Sequence, residues 1–200
     1  MRVSIATIQP PMLRQAPLLL ALCLSGGSAL ACQPVGPLRY VLSHIPSEIG
    51  GQDTIRRVEV GAEGCLWVHY PAWDRRAGDW SMQLSGGELA ELEQRVQRVS
   101  TRHFDTAQLQ QGKRQIDAQL QRAPDSRPAL SWVAGASRHE LQLAPGSEQA
   151  RTLAWTALQH DAQRYEELPE LAALWSAVEA LMQLSEDARL QPLDRQGGQP

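Results

Sequence analysis

TIRRVEVGAEGCLWVHY, residues 54–70, followed by WSMQLSGGELAELEQRV at 80–96, is the part of the chain whose reading decides the fold. In 54–60 and 65–70 β-branched and aromatic residues dominate, which suits strands. Gly61-Ala62-Glu63-Gly64 between them is a turn, so the two runs read as a β-hairpin. Leu66, Val68 and Tyr70 share one face, and Cys65, Trp67 and His69 share the other. Both faces are fairly apolar, as expected of a central strand. Pro71 lacks an N–H for the ladder and ends it. At 80–84, Trp80, Met82 and Leu84 alternate with Ser81 and Gln83, giving a third strand with one wet face.

Ser85-Gly86-Gly87-Glu88 then has the S-x-x-E form of a capping box, in which serine and glutamate each satisfy a backbone N–H at a helix start. Leu89, Leu92, Val96 and Val99 follow at helical spacing, with acids early and arginines late, as the helix dipole favours. The last third of the chain repeats the plan. Residues 129–134 and 137–143 read as a second hairpin across Gly135-Ala136, and 151–158 as a strand. Leu168-Pro169 opens a helix whose stripe is Leu171, Leu174, Trp175, Val178, Leu181 and Met182. The fold class expected is therefore α+β, an antiparallel sheet with helices packed on one face, and two strand-strand-strand-helix halves are one reading of that layout.

The remaining segments are less patterned. Residues 32–53 form an N-terminal arm rich in proline and glycine, in which 38–42 (LRYVL) reads as an added strand or as extended chain. Seven glutamines fall between 97 and 121, with Leu109, Ile116 and Leu120 as anchors and Gly112 interrupting, so 100–122 reads as a loose surface helix or a disordered insert. Residues 123–128 form a linker, 54–190 the single domain and 191–200 a flexible tail.

Residues 1–31 are set apart as a signal peptide. Arg2 and Arg14 precede a short apolar run at 17–24 (PLLLALCL), and Ala29-Leu30-Ala31 is an A-x-A cleavage site. Met12 is an alternative start. The apolar run is too short to span a bilayer, so no transmembrane segment is expected after cleavage. The leader carries two arginines and no acid, so the chain's net charge of −3 becomes −5 in the 169-residue remainder. That balance argues against nucleic acid as a partner. The bases are 18 arginines and the single lysine Lys113.

Cys23 leaves with the leader, which leaves Cys32 and Cys65. In an oxidising compartment they form one disulfide. The competing reading anchors the protein in the outer membrane through a lipidated Cys32, although Ala29 stands where a lipoprotein signal usually has leucine.

No stretch carries a reaction. G-x-S-x-G is absent, no glycine-rich cradle precedes a helix, and the five histidines (His44, His69, His103, His139, His160) lack metal-ligand spacing. No cofactor and no metal are implied, and His139-Glu140 reads as a wet strand face. The segment with a recognition composition is 73–80, where Trp73, Arg75, Arg76 and Trp80 combine the residue types that dominate interface hot spots. The opposing reading turns both tryptophans inward and pairs the arginines with Asp74 and Asp79.

The Gly61–Gly64 turn, LSGGELAEL at 84–92 and the terminal helix at 171–184 together resemble uncharacterised secreted or lipid-anchored bacterial proteins with a hairpin followed by an LSxxELxxL helix. That resemblance implies no activity. The function expected is a non-enzymatic envelope binding or interaction protein, periplasmic or secreted, with an envelope protein or glycan as partner. The alternative is a hydrolase of unidentified type acting on envelope material.

Overall fold

In the computed structural model, which describes residues 32, 36–47, 53–122 and 135–193, one register row explains the sheet. Leu153, Leu141, Leu42, Val58, Val68 and Trp80 stand side by side across six strands. They belong to β6 (Arg151–Thr156), β5 (Arg138–Leu143), β1 (Leu38–Ile45), β2 (Arg56–Gly61), β3 (Cys65–Tyr70) and β4 (Gly78–Gln83), in that spatial order. A two-residue strand, β7 (Gln191–Pro192), pairs with Trp80 and Ser81 and completes the sheet among the described residues. Every pairing is antiparallel.

Because side chains alternate, that row and the ones beside it face a single core. Leu92, Val96 and Val99 of α1 (Gly86–Ser100) join it, as do Leu171, Leu174, Ala177, Val178 and Leu181 of α4 (Pro169–Leu184). Each fully buried Leu or Val side chain is worth roughly 1.5–3 kcal/mol of transfer free energy, so this face dominates stability. The other face carries Glu140, Ser43, Arg57, His69 and Asp79 in one row. The described helices therefore cover one side of the sheet, as expected of the α+β class.

Several local expectations hold. Gly64 at φ 82° closes the β2–β3 turn, and its N–H donates to Gly61 O at 3.1 Å. The capping box is complete: Ser85 accepts from the Glu88 N–H, and Glu88 accepts from the Ser85 N–H at 2.8 Å. Of the two readings for 38–42, the strand is observed, and it is an interior strand, third in the order of the sheet. The stretch set apart as an arm thus supplies the strand that joins the β2–β3–β4 and β5–β6 halves.

Other expectations are corrected. Residues 151–158 are not one strand: β6 stops at Thr156, Ala157 takes a left-handed φ of 58°, and α3 (Leu158–Arg164) begins. β5 pairs with β1 and β6, and residues 129–134, read as its hairpin partner, lie outside the described residues. Gln191 and Pro192, expected in a tail, are in the sheet.

The glutamine-rich stretch is a helix, α2 (Thr106–Arg122), with Leu109 its buried residue. Gly112 does not interrupt it. A Cβ there would come within 3.0 Å of Leu168 Cδ2, so the glycine lets α2 approach the body. Lys113 and Asp117 then tie α2 down, to Asp161 at 2.7 Å and to Arg164 at 3.2 Å.

Cys32 and Cys65 form a disulfide, with Cα atoms 5.8 Å apart. Cys65 shares its face with Trp67 and His69, so the bond lies on the side of the sheet away from the helices.

Candidate functional site at the β3–β4 turn

Pro71 ends β3, and the chain reverses before Gly78. Asp74 N–H donates to Pro71 O at 2.9 Å, and Ala77 N–H donates to Asp74 O at 3.0 Å. The side chains then alternate in direction. Asp74 and Arg76 turn toward the body, while Trp73 and Arg75 face outward.

The inward pair builds a closed network. The Asp74 carboxylate accepts from Arg76 N–H at 3.0 Å and from Arg56 at 2.9 Å. Burial alone would raise its pKa, but these bonds and the two guanidinium charges outweigh it and hold the group below the usual carboxylate value. Arg76 donates to the Tyr70 hydroxyl at 2.9 Å and to Glu186, and Arg56 also reaches Glu186. Tyr70 donates in turn to Ser185 O, one of the carbonyls left open at the end of α4. The guanidinium carbons of Arg56 and Arg76 lie 5.2 and 5.1 Å from the Tyr70 ring centroid. Trp80 Nε1 donates to Arg76 O at 2.7 Å, and the indole packs edge-on to Tyr70.

Of the four residues singled out in sequence, Arg76 and Trp80 thus hold the turn in place. Trp73 is 49% exposed, and Arg75 is exposed with no hydrogen bond or ion pair among the described residues. Ile55, just before Arg56 in the chain, is 40% exposed. Asp74 takes Arg56 instead of a local arginine, and Asp79 takes His69. Sequence spacing had no way to show Arg56 and Glu186 as partners, because they are 130 residues apart.

Three further clusters contain groups capable of chemistry. His69 is held at both ring nitrogens, by Asp79 at 2.6 Å and Asp53 at 2.9 Å. Burial lowers its pKa, but the bonds to the two carboxylates outweigh that, and the net shift is upward. With both nitrogens engaged, neither is free to take a proton from a third group.

His139, expected on a wet face, instead points into the core. Its Nε2 lies 2.9 Å from His44 Nδ1, its Nδ1 is buried with no hydrogen-bond partner among the described residues, and Trp175 packs edge-on at 6.1 Å. Burial and the neighbouring His44 push His139 down to about 4. The third cluster centres on Asp161, 1% exposed, which accepts from Lys113 at 2.7 Å and Trp155 Nε1 at 2.9 Å.

Among the described residues no Ser, Thr or Cys side chain hydrogen-bonds to a histidine, and no group of three or more His, Cys, Asp or Glu is placed to hold a metal ion. No described helix is long and apolar enough to cross a membrane. No family model, no curated protein and no solved structure matches the chain.

Proposed function

We propose that the chain is an exported, non-enzymatic binding protein of the bacterial cell envelope, and that Trp73 and Arg75 engage its partner. The observation that carries this reading is the contrast within one turn. The backbone and the inward side chains of 71–80 are hydrogen-bonded from beneath, while a tryptophan and an arginine without an ion pair among the described residues face water. A turn whose backbone is already fixed has less freedom to lose on binding, and Trp and Arg are among the side chains enriched as interface anchors.

Export rests on the leader at 1–31, and the disulfide is compatible with an oxidising compartment such as the periplasm or the exterior. With Cys32 Sγ bonded to Cys65, that sulfur has no valence left for a lipid thioether. Intact mass of the exported protein checks this: a disulfide-bonded chain beginning at Cys32, without diacylglyceryl mass, is expected.

Binding itself is tested by passing envelope extract, before and after protease treatment, over the immobilised protein and over a Trp73→Ala/Arg75→Ala variant. Because both side chains are exposed, the variant should unfold at the same midpoint as wild type. A retained species present with wild type and lost with the variant supports the reading, and protease sensitivity separates a protein from a glycan. Equal retention by both would overturn it.

A further inference from the structure

At the start of β1 the register slips. Leu38 stands opposite Gly61 and Tyr40 opposite Val60, so two steps on β1 match one on β2 and Arg39 is the extra residue of a β-bulge. Plain alternation would place Arg39 with Val41 and Ser43, on the face away from the helices. Instead Arg39 Nη1 donates to Glu93 Oε1 on α1. The bulge is held from its other side, where Ala144 N–H donates to Arg39 O at 2.8 Å while Ala144 itself sits at a left-handed φ of 45°. Non-glycine residues rarely adopt that conformation, and such positions gather at binding sites.

These features frame a cleft of about 510 Å³ between the sheet end and α1. Leu38, Tyr40, Val96 and Leu143 line it, and the Arg39–Glu93 pair stands at its edge. Val96 and Leu143 are buried beneath it, and the charged side chains are 40% and 38% exposed.

We propose that this cleft binds a free α-amino acid with an apolar side chain, the zwitterion adding to the Arg39–Glu93 pair while the side chain enters the cleft. Each member of the pair keeps unused valences, since a guanidinium has five N–H donors and a carboxylate about four acceptor sites. Arg39 and Glu93 already touch, so a ligand can meet both only if its own opposite charges are adjacent. An α-amino acid has its ammonium and carboxylate on one carbon. Its carboxylate falls on Arg39 and its ammonium on Glu93, and the four charges alternate around a ring. A dipeptide holds its charges too far apart for that, and a fatty acid would set a carboxylate against Glu93 with nothing to offset it. Burial and the Glu93 charge keep the Tyr40 phenol protonated, so its O–H remains a donor at the cleft wall.

The test is calorimetric titration of the purified chain with L-leucine and L-phenylalanine, beside N-acetyl-leucine, leucinamide and leucyl-leucine. Saturable binding of the free amino acids is expected, with each blocked or extended analogue at least ~10-fold weaker, the loss of one charge-assisted contact. Arg39→Gln and Glu93→Gln should each weaken leucine by a similar factor. Gln97→Trp, a change at an exposed helix position lining the cleft, should block it while leaving the unfolding midpoint unchanged. No heat with either amino acid, equal affinity for leucinamide, or leucine binding untouched by Gln97→Trp would each overturn the assignment. None of these results depends on Trp73, so the proposed partner surface stands or falls separately.

Discussion

His139 and His69 lie on opposite faces of the sheet, and their surroundings push them in opposite directions. His139, driven by burial to about 4, is neutral when folded but takes a proton near 6.5 when unfolded. Its share of stability is complete above 6.5 and is lost as pH falls from 6.5 toward 4, by about 3 kcal/mol. His69 is raised by Asp79 and Asp53 against the effect of burial, so its share is complete below its unfolded value and is lost as pH rises through the folded one. Stability should therefore peak near pH 6.5. Unfolding midpoints measured from pH 4 to 9 check this, with His139→Leu flattening the acid limb and His69→Gln the alkaline one. A second expectation concerns Lys113 and Asp161, whose side chains are 16% and 1% exposed. Lys113→Met strands a buried carboxylate and should cost about 3 kcal/mol. Asp161→Asn leaves a lysine that can swing to water and should cost about 1–2 kcal/mol. Equal losses in urea unfolding would show that burial does not set the asymmetry. Neither pairing was legible in sequence. His44 meets His139 95 residues away, and Lys113 meets Asp161 48 residues away.

Among the elements, α1 and α4 were the most legible because their signals are local. A stripe every three or four residues and a cap at the start require nothing distant. The cap supports a direct test: Ser85→Ala should cost about 1 kcal/mol. The same box holds Glu88 down to about 2, chiefly through Arg189 and then Ser85. Yet the Arg189 and Glu88 side chains are 45% and 30% exposed, so Arg189→Ala should cost less than 1 kcal/mol in the same thermal melts. A larger loss for Arg189 than for Ser85 would reverse that ranking. The strands were legible as strands, but their order was not. The alternation in LRYVL shows a pleated run without naming its neighbours, and its interior place depends on pairing with β5 far along the chain. α3 escaped notice because it has seven residues and follows a Thr- and Trp-bearing stretch that is a strand only as far as Thr156. The recognition segment was legible in composition, but which two of its four residues face outward depends on Arg56 and Glu186.

At the scale of the whole molecule, the disulfide joins cysteines 33 positions apart, and the loop it closes includes β1 and β2, two of the central strands. Chain-entropy arguments value such a loop at about 3–4 kcal/mol. A Cys32→Ala/Cys65→Ala chain should lose about that much in denaturant unfolding, and a reducing agent should bring wild type to the same curve. An unchanged midpoint would mean that the reduced, unfolded chain is already held compact. The interior position of β1 also sets a clock. Leu42 meets Val58 sixteen residues later but meets Leu141 only after 99. At a synthesis rate of about 5–20 residues per second, one edge of that strand waits roughly 5–20 s for its partner. During that interval the nascent chain carries an open β edge of the kind that recruits other chains. A growing protein arranged this way needs a companion to shield it, or a channel to hold it unfolded, until its last third arrives.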